Sequence, residues 1–221
     1  MRFRSCYFFA STLLLFVMAS TAQAAETKGQ VIENLQQAYS AIETFQADFN
    51  QDMKHRESEM TERHTGTISF KKPAFLRWEV LGPNPELIVL TNEAVWQYFA
   101  DEAHAYKYKP DLALESGLLF RVLTGQSRLD QEFDIVSVVA DEELTRVSAY
   151  PKEPLPNMVE AQIWINPASG YIERVLSLDF YGNNMMISLK NIRINQNFAA
   201  DLFTFSPPEG VLVEDHTELP R

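Results

Sequence analysis

Residues 69–80 read SFKKPAFLRWEV, and this stretch points most directly to the fold. After Pro73 the side chains alternate with the period of a β-strand, so that successive residues face opposite sides. One set is Phe75, Arg77 and Glu79, and the other is Leu76, Trp78 and Val80. Because the second set is wholly apolar, that face must be covered by a permanent core or by a ligand.

The first 24 residues have the layout of a cleavable secretory signal. Two arginines precede an apolar run at residues 7–18, and small residues follow at Ala22 and Ala24. The run is short for a membrane span, so we expect cleavage after Ala24 and a single domain over residues 25–221. The only cysteine, Cys6, precedes the run. The mature chain is therefore predicted to lack a disulfide and a lipid anchor.

The chain is strongly acidic, with 30 acidic and 19 basic residues and a net charge of −11. Removal of the signal takes away Arg2 and Arg4 and no acidic residue, which lowers the net charge to −13. This charge argues against nucleic acid and anionic membrane surfaces as partners. An exported, unanchored and acidic chain is typical of the periplasm of a Gram-negative bacterium.

The sequence contains none of the common signatures of enzymes or metal sites. Its four histidines, at positions 55, 64, 104 and 216, have no metal-ligand spacing, and G-x-S-x-G, P-loop and dinucleotide-binding motifs are absent. A catalytic pair of carboxylates, as in a glycosidase, stays an open alternative, because only a structure gives the distance between the two carboxyl groups. We predict no enzyme activity, no catalytic residue, no cofactor and no metal.

One amphipathic helix precedes a long series of strands. Residues 28–45 carry apolar side chains at helical spacing, and from Phe45 onward the period changes to two. Roughly ten or eleven short strands follow, joined by polar turns such as TNEA and ADEE. They are predicted at 45–53, 65–71, 75–81, 87–90, 95–99, 104–109, 133–139, 144–150, 159–165, 172–180 and 185–194, with a last short strand near LFTFS at 202–206.

A leucine-rich segment at residues 111–125 interrupts the strands. It is predicted to form one or two short helices divided at Gly117. Helices that pack on one face of a large antiparallel sheet give an α+β architecture that is mostly β. At the C-terminus, Phe203 and Phe205 are expected to anchor the last strand, and residues 214–221 are expected to form a mobile tail.

Four stretches, in this order behind a signal peptide, resemble the outer-membrane lipoprotein carrier proteins of the LolA family. They are FQADFNQ at 45–51, GTISFKKPAFLRWEV at 66–80, LIVLTNEAVWQY at 87–98 and DLFTFSPPEGV at 201–211. The resemblance implies an incomplete antiparallel barrel with a lid of short helices over an apolar cavity. It also implies a monomeric carrier that takes triacylated lipoproteins from an ABC-type release complex of the inner membrane to an outer-membrane receptor.

The resemblance also implies a set of cavity and lid residues. The first helix and residues 112–124 would form the lid. Lys72 matches a basic residue that latches the lid in the family, where arginine is more usual; lysine lacks the planar fork of arginine, which predicts a looser latch. The side chains expected to line the acyl cavity are Phe45, Phe49, Leu76, Trp78, Val80, Val89, Trp96, Tyr98, Leu119, Phe120, Leu123, Leu176, Leu178, Phe180 and Met185.

Two other functions are consistent with the same residues. A half-barrel of this kind can carry another apolar cargo, such as a glycolipid or a pigment-like lipid, because an apolar cavity recognises chains and not their headgroup. It can also act as a lipid sensor that binds a regulatory partner. Each predicted cavity residue, taken singly, is equally consistent with an ordinary core.

Overall fold

A computed structural model of the chain describes residues 27–110, 118–153 and 155–218, and within the helix at 118–123 it describes side chains from Arg121 onward. The expected signal at residues 1–24 and the first part of the predicted 111–125 helical segment lie outside these residues. The described helices are α1 (Lys28–Ser40), α2 (Leu118–Leu123) and α3 (Leu129–Glu132).

Helix α1 begins at a capping box. The Thr27 hydroxyl accepts a hydrogen bond from the Gln30 backbone N–H at 3.3 Å, and the Gln30 side chain accepts one from the Thr27 backbone N–H at 2.9 Å. Its apolar stripe of Val31, Ile32, Leu35 and Tyr39 is buried, as the helical spacing predicts.

The strands form one open twelve-stranded sheet with β12 and β7 at its edges, in the order β12-β6-β5-β4-β3-β2-β1-β11-β10-β9-β8-β7. All pairs are antiparallel except β12 with β6. The mostly β, α+β class is confirmed. The strands are β1 (Thr44–Lys54), β2 (Thr61–Lys71), β3 (Phe75–Leu81), β4 (Glu86–Leu90), β5 (Val95–Phe99), β6 (His104–Tyr108), β7 (Phe133–Asp141), β8 (Leu144–Pro151), β9 (Glu160–Ile165), β10 (Ile172–Leu178), β11 (Asn184–Ile194) and β12 (Leu212–Asp215).

The register divides the sheet into two faces. The helix face is the one that carries Phe45 and Phe49 of β1, against which α1 packs, and the outer face is the opposite one. Across β2 and β3 the helix face continues through Phe70, opposite Phe45, and through Trp78, opposite Ile68. The Phe49 and Trp78 rings lie 4.3 Å apart. The apolar side of SFKKPAFLRWEV therefore faces the helices.

Gly66 makes the contact between β2 and Phe49 possible. A Cβ at this position would lie 1.9 Å from the Glu79 carbonyl oxygen and 2.7 Å from the Phe49 ring. Only a residue without a side chain fits under the ring without a backbone shift.

We predict that Gly66→Ala lowers the free energy of unfolding by about 2 kcal/mol, since the added methyl forces the backbone and the ring apart. Urea unfolding monitored by tryptophan fluorescence measures this change. Gly29→Ala is the control, because a methyl there meets open space on α1, and alanine is the better helix former. Equal stability of the Gly66→Ala and wild-type proteins would contradict the packing described here.

The C-terminal prediction was wrong in its detail. Residues 202–206 form turns and irregular backbone, while the last strand is β12, which adds to the edge of β6 and includes two residues of the predicted tail. The stretch at 195–205, here called the C-terminal arm, lies on the outer face, where Phe203 packs on Phe75 and Phe205 packs on Trp96. Its alternating phenylalanines have the period of a strand. However, the arm packs onto the outer face of the sheet and does not pair with an edge strand.

Helix α3 was also not predicted. It has only four residues, too few for a periodic pattern, and its place is set by tertiary contacts. Leu129 is fully buried in the core, and the Lys152 ammonium donates to the Asp130 carbonyl oxygen at 2.7 Å.

Candidate functional site: an apolar sheet face under helices

The centre of the helix face is covered by α1. The Tyr39 hydroxyl at the end of this helix accepts a hydrogen bond from the Ile172 backbone N–H at 3.1 Å, which ties α1 to β10. Burial raises the pKa of the Tyr39 hydroxyl far above its usual value, so the group stays neutral at any physiological pH. The Tyr39 ring also meets the Tyr171 ring edge-on at 5.9 Å.

Lys72 joins the sheet to the C-terminal end of α1. Its ammonium donates hydrogen bonds to the Tyr39 carbonyl oxygen at 2.9 Å and to the Ser40 carbonyl oxygen at 3.0 Å. Both carbonyls belong to the last turn of the helix, where the helix dipole favours a cation, and the Tyr39 carbonyl also accepts from the Ile42 backbone N–H at 3.3 Å. Lys72 is thus placed as a latch would be, on the backbone of the first helix.

A second contact lies beside Lys72. The Gln126 side chain, in the loop between α2 and α3, donates to the Pro73 carbonyl oxygen at 2.9 Å. The β2–β3 turn therefore contacts both α1 and the loop after α2.

An ion-pair network joins the three described helices. The Arg121 guanidinium of α2 donates two hydrogen bonds to the Glu132 carboxylate of α3, at 2.6 and 3.0 Å. Arg128, just before α3, pairs with Glu33 of α1 at 3.3 Å. The Arg121 guanidinium holds the pKa of the Glu132 carboxyl below its usual range.

We predict that Glu132→Gln lowers the free energy of unfolding by about 1 kcal/mol near neutral pH. Because the pKa of Glu132 is lowered in the folded protein, its contribution is complete above the unfolded pKa of about 4.3 and is lost as the pH falls through the folded value. The difference between variant and wild type should therefore shrink in acid. Urea unfolding at a series of pH values measures it, with exposed Glu209→Gln as the control; a difference independent of pH would contradict the ion pair.

The predicted cavity residues divide between the two faces. On the helix face lie Phe45, Phe49, Leu76, Trp78, Val80 and Met185, and Leu123 of α2 packs against the same core. On the outer face lie Val89, Trp96, Tyr98, Leu176 and Leu178. Phe180 lies in the turn between β10 and β11 with 74% of its surface exposed. The side chains of Leu119 and Phe120 lie outside the described residues.

The division has a simple cause. Alternation predicts that a strand has two faces, but it does not tell which face of one strand continues the face of its neighbour. Val89 is paired with Arg77 of β3 and with Trp96 of β5, so these three share the outer face. Whether any of the predicted residues binds a ligand stays a prediction.

Several helix-face residues were not identified from the sequence. They include Phe70 and Ile68 of β2, Ile163 of β9, and Ile187 and Leu189 of β11. The signal was present in β2, where Ile68 lies just before the quoted stretch and Phe70 is the second residue of that stretch. For β9 and β11 only the pairing with β10 and β1 identifies the face.

Cavities are present on both faces. On the outer face, a cavity of about 410 Å³ is lined by Lys71, Phe75 and Phe203, and another of about 330 Å³ by Trp96, Phe203 and Phe205. On the helix face, beyond Phe49, a smaller cavity of about 110 Å³ is lined in part by Met53 and Met185. Aromatic or methionine side chains give each lining an apolar part that suits the binding of apolar groups, beside polar residues such as Lys71 and Asn183.

The described residues contain neither a metal-binding cluster nor a membrane-spanning helix. Within 27–110, 118–153 and 155–218, no group of three or more metal-ligating side chains is close enough to hold a metal ion. Over the same residues, no helix combines the length and apolar character needed to cross a bilayer.

Comparison with known proteins agrees with the resemblance of the sequence. A sequence model of the family described as "Outer membrane lipoprotein carrier protein LolA" matches residues 40–206. The outer-membrane lipoprotein carrier protein of Nitrosomonas europaea is 25% identical over 202 residues, covering 90% of this chain and 97% of that protein. That of Vibrio campbellii is 26% identical over 212 residues, covering 96% of both.

A solved structure shows the same fold. An uncharacterized conserved protein from Thermus thermophilus superposes with a TM-score of 0.56 at 13% identity, covering 86% of this chain and 99% of that one. The family match spans β1 to β11 with α2 and α3, and includes only the last residue of α1. Family members are carriers and not enzymes. The chain belongs to the LolA family of outer-membrane lipoprotein carrier proteins.

Proposed function

We infer that the protein is a periplasmic carrier that holds the acyl chains of triacylated lipoproteins against the helix face. It receives them from the ABC-type release complex of the inner membrane and delivers them to the lipoprotein receptor of the outer membrane. The observation that carries this proposal is the way the helices cover the apolar face: polar contacts at the β2–β3 turn and between the helices hold them there.

The free energy of burying acyl chains supports a mechanism in which these chains replace the helices on the helix face. Burial of an acyl chain contributes about 0.8 kcal/mol per methylene, so a few methylenes offset the loss of the latch contacts. The apolar stripe of α1 and the acyl chain then compete for one surface, which gives a closed empty state and an open loaded state. Flexible and aromatic side chains such as Met185 and Trp78 can repack around chains of different shape.

The test compares two glutamates placed on opposite faces of β3. Leu76 points to the helix face, whereas Leu81, on the same strand, points to the outer face and is 51% exposed. We expect the wild type isolated from periplasm to carry triacylated lipoproteins in native mass spectrometry. Leu76→Glu should lower that occupancy about tenfold, since an uncompensated carboxylate must leave water, and Leu81→Glu should not.

The other outcomes are equally informative. A different lipid on the wild type would assign the protein to another apolar cargo, such as a glycolipid. Equal occupancy of the two folded glutamate variants would contradict binding on the helix face.

Delivery is tested by adding the loaded protein to outer-membrane vesicles with and without the receptor.

A further inference from the structure

All five methionines of residues 27–218 lie at one end of the sheet. Met53 and Met185 face each other on β1 and β11, and Met186 is the next residue on the outer face. Met60 lies in the β1–β2 turn, 63% exposed, and Met158 lies beside the end of β10, where the Val159 N–H bonds to the Leu178 carbonyl. This end lies beyond Phe49, where burial along β1 decreases.

Two of these thioethers open onto a small cavity with both apolar and polar residues in its lining. It has a volume of about 110 Å³ and is lined by Met53, Met185, Ser177 and the side chains Asn157, Asp179, Asn183 and Asn184. A water molecule occupies about 30 Å³ of liquid, so the cavity has room for a few molecules of that size. The Asp179 carboxylate in this lining already accepts hydrogen bonds from the Asn183 backbone and side chain, at 2.8 and 2.7 Å, so the size of the cavity decides which reagents reach the two sulfur atoms.

We propose that this cavity is a methionine oxidation site, in which a small peroxide reaches the sulfur atoms of Met53 and Met185. The sulfur attacks one oxygen of hydrogen peroxide and supplies two electrons, the O–O bond breaks, and the proton passes to the leaving oxygen. The products are a sulfoxide and water. A thiol-dependent methionine sulfoxide reductase reverses the change.

The environment of Met185 favours this product. The Gln51 amide lies on the helix face and donates to the Met185 sulfur at 3.3 Å. A thioether is a weak acceptor, whereas a sulfoxide oxygen is a strong one, so the same amide can stabilise the oxidised side chain.

Oxidation would make this end of the helix face polar. This consequence rests on the proposed function, because Met53 and Met185 extend the apolar surface proposed to hold acyl chains. Each methylene contact that is lost weakens binding about fourfold. Peroxide would thus reversibly lower the affinity of the carrier for its cargo.

The experiment treats the purified protein with limiting hydrogen peroxide and follows each methionine by peptide mass spectrometry. We expect exposed Met60 to react first, and Met53 and Met185 to react before Met186, which lies on the same strand as Met185 but outside the cavity. If Met53 and Met185 react no faster than Met186, the proposal is wrong.

Binding of pyrene-labelled palmitate tests the consequence. Oxidation should weaken binding by wild type and by the matched control Met186→Leu, and should leave the Met53→Leu/Met185→Leu variant unchanged. An equal loss in that double variant would overturn the role of the two sulfur atoms. If untreated wild type does not bind the probe, the proposed function fails, whereas the order of oxidation still decides whether the site exists.

Discussion

Phe49→Ala is expected to lower the free energy of unfolding by about 3–5 kcal/mol, the range for removal of a large aromatic side chain from a core. The Phe49 ring is 1% exposed, packs at 4.3 Å from the Trp78 ring and covers Gly66. The sheet there cannot collapse onto the space that the ring leaves, because β1 is held by β2 on one side and by β11 on the other. A cavity is therefore expected to remain.

Urea unfolding measures this change, and Trp78 supplies a fluorescence signal beside the mutated site. Phe180→Ala is the matched control: the same substitution in an exposed turn should change stability by less than about 0.5 kcal/mol. A loss below about 1 kcal/mol for Phe49→Ala would mean that the ring is not packed in the empty protein. The empty carrier would then have an open helix face.

Lys72→Met is expected to shift the protein toward the state in which α1 has left the sheet. Two charge-assisted hydrogen bonds to the carbonyls of Tyr39 and Ser40 are lost, and one of these carbonyls is partly buried. Because water replaces part of these hydrogen bonds, the loss is about 2–3 kcal/mol, which raises the population of the open state about 30- to 150-fold. Faster hydrogen exchange of the α1 amides and tighter binding of an acyl probe should follow together.

Two variants make this prediction specific. Lys71→Met removes the neighbouring positive charge, which lies on the outer face beside Phe75 and away from the end of α1. It should leave exchange in α1 unchanged. Lys72→Arg restores a cation able to reach both carbonyls and should return exchange to the wild-type rate or below it. Equal exchange in Lys71→Met and Lys72→Met would show that the contact does not hold the helix.

The elements of the fold could largely be predicted without a structure. β3 and β5 have the bounds expected from alternation, and α1 lies within the predicted helical segment, because local periodicity and turn residues decide these features. Less could be predicted for elements whose formation depends on contacts between residues far apart in the sequence. Helix α3 depends on the burial of Leu129, and β12 depends on the free edge of β6.

The helix face shows the same limit at the level of single side chains. Trp78 and Trp96 look alike in the sequence, each an aromatic residue in an alternating strand. The register of β3, β4 and β5 places them on opposite faces, where Phe49 covers the first and Phe205 of the C-terminal arm packs against the second. A misassignment of one residue along a strand reverses every side chain in it.

The sequence alone determines the number and type of most elements and the acidic charge. It also determines that strands such as SFKKPAFLRWEV have one apolar face. All are properties of neighbouring residues or of composition. The tertiary structure decided which strand faces join into one surface, which helix covers it, and that Lys72 contacts the end of that helix. These depend on hydrogen-bond register and on chain segments far apart in sequence, which no local pattern records.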